Sequence, residues 1–97
     1  MPSSIAHINT AKASINLKKL CRHFGHKVEA EFDDHRGEIH FPFGDIFLTA
    51  NDVVLSMTVE ANSDEDLATG QKVMADHLVR FATDEELLVD WQPAVYR

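Results

Sequence analysis

Apolar residues recur along the chain at two spacings, and each spacing predicts a different kind of element. After Thr10 they recur every three or four positions, which is the period of an amphipathic helix. Thr10 is the predicted N-cap, and Gly25 is the predicted C′ residue that closes this helix. The inner face consists of Ala13, Leu17, Leu20, Cys21 and Phe24, and the cations Lys12, Lys18, Lys19 and Arg22 fall opposite.

A second amphipathic helix is predicted from Ser63 onward. Ser63 followed by Asp66 is a near match to a capping box. Gly70 costs about 1 kcal/mol relative to alanine in a helix, which indicates a close approach to a neighbouring element. His77 flanks the inner face, either as a boundary histidine or as a pH-sensitive interface contact. The inner face consists of Leu67, Gly70, Gln71, Met74, Leu78 and Phe81.

Alternation with a period of two predicts strands. Residues 3–9 form a short strand, and residues 28–41 form a hairpin. The predicted turn spans residues 34–37 and ends in Gly37, which would supply the positive φ of a bulged loop. The inward residues of this hairpin are Val28, Ala30, Phe32, Ile39 and Phe41.

The register of this hairpin is predicted from its charges. Phe32 is expected opposite Ile39 on the buried face, and Glu31 is expected opposite His40 on the other face. The alternative register would set Glu31 against Glu38, and like charges directly opposite each other destabilise a strand pair.

A second hairpin is predicted over residues 45–61, around a tight turn at residues 51–52. Residues 87–91 form a last extended segment, in which Leu87, Val89 and Trp91 alternate before Pro93 ends any pairing. The inward residues of the hairpin are Ile46, Leu48, Val53, Leu55, Met57 and Val59.

These elements predict one α+β domain that spans residues 1–97. Two helices pack on one face of an antiparallel sheet of four to five strands, in the order β-α-β-β-β-β-α with a terminal strand as an option. The open face is predicted to be a wetted surface, a ligand groove or a surface for a partner chain. It is lined by Glu29, Glu31, Glu38, His40, Phe47, Thr49, Ser56, Thr58 and Glu60.

Charge divides the chain unevenly. The net charge is −7, yet residues 1–28 carry five bases and no acid, while the remaining residues hold all 16 acids and four bases. An acidic protein repels nucleic acid and anionic membranes, so neither is a predicted partner. The basic first helix is predicted to be a solvated face, or else to dock on an anionic ligand, an acidic protein or the acidic part of a second copy, as in a homodimer.

Cysteine usage and motifs narrow the class of protein. The single cysteine, Cys21, lies on the apolar stripe and is predicted to be a buried small side chain rather than a nucleophile. A lone cysteine and an N-terminal segment without a long apolar run predict a cytoplasmic protein. No GxSxG, glycine-rich phosphate loop, HExxH or CxxC motif is present, which favours a non-enzymatic function.

Six histidines raise the question of a metal or haem site. His23 and His26 are three residues apart, but the predicted helix end at Gly25 separates their rings. His35 falls in a turn and His40 on a strand. These four histidines are the candidate ligands, and no metal or cofactor is assigned to them. The helix dipole by itself favours histidines at a helix C-terminus.

Two segments carry a resemblance to a known family. LCRHFGHKVEAEFDDHRGEIHF (residues 20–41) and ADHLVRFATDEELLVDWQP (residues 75–93) together resemble the bacterial family DUF2218. The resemblance implies no catalytic role for any residue. Similar segments occur attached to siderophore-interacting flavoproteins, which implies a link to iron acquisition or ferric-siderophore handling. The matching positions are Leu20, His23, His26, Lys27, His35, Arg36, Gly37, Asp76, His77, Leu78, Arg80, Phe81 and Trp91.

We therefore expect a non-enzymatic binding or accessory module, linked to iron or siderophore metabolism. The alternative is a histidine-based metal- or haem-binding protein. The residues predicted to bind a ligand or partner are Arg22, His23, His26, Lys27, His35, Arg36 and His40.

Overall fold

A computed structural model describes residues 2–94 and has the predicted element order, followed by a short terminal strand. The strands form one antiparallel sheet of order β2-β3-β4-β5-β1-β6. The α+β class is therefore confirmed, with six strands in place of four to five. The strands are β1 (Ser3–Asn9), β2 (Glu29–Phe32), β3 (Arg36–Phe41), β4 (Gly44–Ala50), β5 (Val54–Ala61) and β6 (Gln92–Pro93), and the helices are α1 (Ala13–Gly25) and α2 (Asp64–Phe81).

Both helices pack on one face of the sheet, with α1 over β2, β3, β4 and β5 and α2 over β4 and β5. Most apolar residues on the inward faces of the helices and of the sheet form one buried core, as the alternation predicts. Phe32 is an exception, because it was predicted to point inward and is 38% exposed. Neither helix has the length and apolarity needed to cross a membrane. The largest buried side chains are Ile8, Leu17, Leu20, Ile39, Ile46, Leu48, Leu55, Met57, Val59, Met74 and Leu78.

The first helix begins later than predicted. Lys12 occupies the N-cap position, and its side chain makes no capping bond. Thr10 Oγ1 instead accepts the backbone N–H of Lys12 at 3.0 Å and donates to the carboxylate of Glu85 at 2.8 Å. Lys12 also pairs with Asp84, which lowers the pKa of that carboxyl. Thr10 thus joins the start of α1 to the segment after α2, and its prediction as the N-cap is wrong.

The first helix also ends differently from the prediction. Gly25 is the last helical residue and has no positive φ, so it is not a C′ residue. His26 continues in the right-handed helical region, and the N–H groups of Lys27 and Val28 both donate to the carbonyl of Phe24. These bonds satisfy an end carbonyl without a glycine cap.

The predicted register of the β2–β3 hairpin is wrong. Phe32 lies opposite Gly37, and Glu31 lies opposite Glu38, which is the pairing that like-charge repulsion disfavours. His40 Nε2 lies 3.6 Å from the Glu38 carboxylate and reduces that repulsion when the imidazole is protonated.

Packing beneath α1 accounts for this register. Gly37 is buried within β3, and a Cβ at this position would lie 2.7 Å from Cys21 Sγ and 3.3 Å from Leu17 Cδ2. Overpacking a core costs about 1–3 kcal/mol, whereas a cross-strand pair contributes about 0.2–1 kcal/mol. The observed register places Gly37, which has no side chain, under α1. The packing that this allows is worth more than the repulsion between Glu31 and Glu38 that it costs.

Both hairpin turns are built in the same way. The side-chain oxygen of Asp33 accepts the backbone N–H groups two and three residues ahead, and that of Asn51 does the same. These bonds lower the pKa of Asp33. The first turn therefore begins at residue 33, one residue before the predicted 34–37. Val53 belongs to the second turn and is 62% exposed, so its predicted inward position is wrong.

The second helix begins as predicted. Ser63 is the N-cap, and its hydroxyl accepts the N–H of Asp66 at 3.1 Å. A Cβ on Gly70 would lie 2.7 Å from Val59 Cγ1 and 3.2 Å from Phe43 Cε1. The close approach that the glycine indicated is thus confirmed as contact between α2 and the sheet.

The C-terminal segment pairs where it was not expected to. Pro93 lies opposite Ser4 in the β1–β6 ladder, and the N–H of Ala94 donates to the carbonyl of Ser3 at 3.1 Å. A proline is tolerated there because β6 is an edge strand. The predicted role of Pro93 as the end of pairing is wrong. Leu87, Val89 and Trp91 lie outside the strands, half-buried against the core.

Candidate functional site

Basic and imidazole side chains from both helices meet at one place, which we call the helix-end patch. It consists of His23, His26 and Lys27 from the end of α1, and His77 and Arg80 from the last turns of α2. The rings of His23 and His77 are 5.0 Å apart between centroids. Lys27, His26 and Arg80 are close enough to His23 to repel its protonated form. Three of the predicted binding residues are therefore neighbours in space.

Aromatic rings support the patch from below. The His23 ring contacts Phe24 at 4.9 Å and Phe81 at 5.4 Å between centroids, both edge to face. Phe24 in turn packs against Phe41 at 5.0 Å, and Phe41 stacks on Phe43 at 4.7 Å. Such ring pairs add about 0.5–1.5 kcal/mol each beyond their buried area. The patch thus rests on a continuous row of aromatic side chains.

A backbone hydrogen bond fixes the orientation of His77. Its Nδ1–H donates to the carbonyl of Val73 at 2.7 Å, one turn earlier in α2. The Nε2 atom therefore carries the lone pair in the neutral ring. Because Phe24 packs against this ring at 4.8 Å, the imidazole is held from two sides.

The pKa of His23 is lowered from its ordinary value. Desolvation is the largest cause, and the charges of His77, Lys27, His26 and Arg80 follow. His23 is consequently a neutral aromatic ring at neutral pH. Lys27 and Arg80 add two cationic side chains beside this ring.

The other predicted binding residues lie elsewhere. The guanidinium of Arg22 lies 5.5 Å from the centroid of Phe32, at the β2–β3 hairpin. His35 belongs to the turn of that hairpin, and Arg36 begins β3. Lys18 of α1 pairs with Asp34 in the same turn at 3.0 Å.

His40 lies on the sheet face away from the helices, among acidic side chains. The register sets Glu29, His40, Asp45 and Glu60 in one cross-strand row. His40 Nδ1–H donates to Asp45 at 2.8 Å, and this bond is the main cause of a raised His40 pKa. The predicted lining of the open face is confirmed by the register, which adds Ile5, His7, Arg36 and Asp45 to it.

The histidines are too dispersed for a ready metal site. Within residues 2–94, no group of three or more His, Cys, Asp or Glu side chains is placed to hold a metal ion. Of the four candidate ligands, only His23 and His26 share a surface, whereas His35 and His40 are part of the β2–β3 hairpin. Cys21 is buried, and desolvation raises its pKa to about 11, so its thiol is protonated and unreactive at neutral pH.

Sequence reasoning assigned neither His77 nor Arg80 to the binding site. Both lie about fifty residues from His23 along the chain, and helix periodicity does not report which helix ends meet. A signal was nevertheless present, because both residues belong to the second segment that carries the family resemblance.

The match to a family model extends over nearly the whole chain. A family described as "Uncharacterized protein conserved in bacteria (DUF2218)" matches residues 5–92. The chain belongs to the DUF2218 family. The match includes both helices and all of the patch residues of this DUF2218 chain. No curated protein matches the sequence.

A solved structure shares the fold of this DUF2218 chain. The NMR structure of PA4090 from Pseudomonas aeruginosa superposes with a TM-score of 0.82 and 38% sequence identity. The superposition covers 97% of this chain and 98% of the other. The similarity supports the arrangement of helices and sheet on which the patch depends.

Proposed function

We propose that this DUF2218 chain is a non-enzymatic module that binds an anionic, aromatic ligand at the helix-end patch. The observation that carries the proposal is the meeting of Lys27 and Arg80 around the exposed ring of His23. Neither cation forms an ion pair with another described residue. On a chain of net charge −7, two unpaired cations beside an aromatic surface suit an anion that carries rings.

The helix dipoles account for only part of the positive charge. Each helix C-terminus carries about half a negative charge, so two such ends offset roughly one of the two cations. A net positive charge is left over beside the neutral ring of His23. An anionic ligand would remove this imbalance, and its rings would stack on His23 and Phe81.

Ferric catecholate siderophores combine the two properties that the patch selects. Their complexes are anionic, and catechol groups supply flat aromatic rings. This ligand class joins the chemistry of the patch to the iron and siderophore link that the family resemblance implies. The proposal places the module in the cytoplasm, where Cys21 stays reduced.

The test uses the gallium(III) complex of a tris-catecholate siderophore, because gallium replaces iron without paramagnetic broadening. Amide chemical shifts of the ¹⁵N-labelled protein should move around His23, Lys27 and Arg80 during the titration. The Lys27→Glu and Arg80→Glu variants should each weaken binding by about tenfold or more, with melting temperatures close to wild type.

Lys72→Glu is the matched control, because Lys72 lies on the same helix as Arg80 and the charge change is identical. Lys72 pairs with Asp76 at 3.2 Å and is outside the patch. If Arg80→Glu and Lys72→Glu weakened binding equally, the loss would be due to the overall charge of the protein. That result would contradict the patch assignment. Absence of binding to the catecholate complex would contradict the ligand class.

The metal or haem alternative has one observation in its favour, the His23–His77 pair. The bond from Nδ1 of His77 to a carbonyl is typical of metal-ligating histidines. Two imidazoles are nevertheless fewer than the three or four protein ligands of zinc sites. Native mass spectrometry of protein from its own cytosol decides between the two, since a retained metal or haem that is lost in His77→Ala would favour the alternative.

The same spectrum measures the oligomeric state. A homodimer that joined the patch of one copy to the acidic sheet face of the next would be heterologous, because the two surfaces belong to opposite layers. Such contacts generate chains of subunits unless the rotation closes a ring. We therefore propose a small-molecule ligand for the patch, and the homodimer stays a separate prediction.

A further inference from the structure

A cleft at the opposite end of α2 lies outside the helix-end patch. It is formed between β1, β6 and the first turns of α2, and its volume is about 370 Å³. This volume is within the roughly 300–1,000 Å³ range of small-molecule sites. The lining residues are Pro2, Ser3, Ser4, Asp64, Leu67, Gln71, Trp91, Gln92 and Pro93.

The walls of the cleft are apolar, and one polar contact fixes its floor. Leu67, Trp91 and Pro93 supply apolar surface, and Trp91 is half-buried in the core with part of its indole accessible. Ser4 is only 3% exposed, and its hydroxyl accepts a hydrogen bond from Gln71 Nε2 at 2.8 Å. This bond joins β1 to α2 at the cleft.

The charge at the cleft is negative. Asp64 is the ionisable residue of its described lining, and Glu65 and Asp66 follow in the same helical turn. The N-terminus of α2 contributes about half a positive charge, which the full negative charge of Asp64 already exceeds. A helix N-terminus by itself favours an anion. At this one, the carboxylate of Asp64 favours a cation instead.

We propose that the cleft binds a small organic cation that carries an apolar or aromatic body, such as a protonated primary amine or a quaternary ammonium ion. The cation lies against the indole face of Trp91 and next to the carboxylate of Asp64, and the body fills the space beside Leu67 and Pro93. Tryptophan is the side chain that attracts cations best through its ring face.

Trp91 makes the test direct, because it is the single tryptophan of the chain and reports on the cleft alone. Benzyltrimethylammonium, its neutral analogue neopentylbenzene and the anion phenylacetate are titrated while Trp91 fluorescence is recorded. The cation should give a saturable change at lower concentration than the other two. A response that is equal for all three probes, strongest for phenylacetate or absent for the cation would overturn the proposal.

Two variants distinguish binding in the cleft from a general electrostatic attraction to α2. Asp64→Asn and Glu65→Gln each remove one acid from the first turn of α2, but only Asp64 lines the cleft. Asp64→Asn should weaken binding of benzyltrimethylammonium about three- to tenfold, and Glu65→Gln should change it less than twofold. Equal effects of the two variants would refute the role of Asp64. Circular dichroism of both variants checks that α2 is intact.

Discussion

The contact between Gly37 and α1 yields the sharpest prediction from the fold. In Gly37→Ala, the added methyl group would lie 2.7 Å from Cys21 Sγ and 3.3 Å from Leu17 Cδ2. Carbon and sulfur do not approach this closely, so α1 must move away from β3 or Cys21 must change rotamer. Overpacking of this kind costs about 1–3 kcal/mol, which for a domain of this size lowers the melting temperature by roughly 4–8 °C per kcal/mol.

Gly25→Ala is the matched control. Gly25 also lies next to the β2–β3 hairpin, but its added methyl would meet only Ala30 Cβ, at an ordinary 3.7 Å. Because Gly25 is helical and has no positive φ, alanine should stabilise the protein by about 0.5–1 kcal/mol. The two glycine-to-alanine changes are therefore expected to have opposite signs in urea unfolding.

A double-mutant cycle assigns the cost to the sulfur atom. Cys21→Ala alone removes buried volume and should destabilise the protein by about 1 kcal/mol. In the Gly37→Ala background it also relieves the clash, so the double variant should be more stable than the sum of the single effects by at least about 1 kcal/mol. If Gly37→Ala resembles Gly25→Ala, or if the cycle is additive, close packing of α1 does not determine the hairpin register.

Three further predictions concern single side chains. Asn16→Leu should stabilise the protein by about 1–3 kcal/mol in urea unfolding, because the buried Asn16 Nδ2 has no partner among the described residues. Gly44→Ala should prevent normal folding, which circular dichroism would detect, since the added Cβ would lie 2.3 Å from the Glu60 carbonyl oxygen. The bond to Asp45 raises the pKa of His40, so His40→Gln should destabilise more at about pH 6 than at about pH 9, where wild type has lost that contribution.

The sequence predicted the elements whose pattern is local. Alternation along β4 and β5 and the helical period of α1 and α2 identified the buried faces, because burial of one face imposes that period on the residues themselves. Ser63 was identified as a cap for the same reason, since its partner, the N–H of Asp66, is three residues away. The order of elements and the α+β class followed from these patterns.

The features that were predicted wrongly depend on distant residues. Charges within the hairpin favoured a different β2–β3 register, whereas Gly37, opposite Phe32, packs under Cys21 and Leu17 of the preceding helix. Asp33 offered a local signal for the correct turn, because Asp and Asn are favoured at the first position of such turns. The predicted glycine turn overlooked it. Gly37 is required because α1 leaves no room for a side chain at this position, and its φ is not positive.

The candidate site shows the same limit. His23, His26 and Lys27 are adjacent in the sequence, and the prediction therefore grouped them. Arg22 is adjacent too, but the helical turn directs it to Phe32 instead of the patch. Arg80 joins the patch only through the packing of α2 against α1, which no periodicity reports. Because the binding site consists of two helix ends, the sequence predicted only the part that follows from neighbouring residues at the end of α1.

Positive and negative side chains also have separate places on the molecule. Lys27 and Arg80 lie near His23 in the helix layer, while Glu29, Asp45 and Glu60 lie on the opposite sheet face and Asp64, Glu65 and Asp66 at the start of α2. Anions and cations are therefore expected at different places on the same molecule. Because α2 contributes Arg80 to one site and Asp64 to the other, the two charge variants of this helix should each weaken one class of probe. If either variant weakened both, the two sites would not be independent.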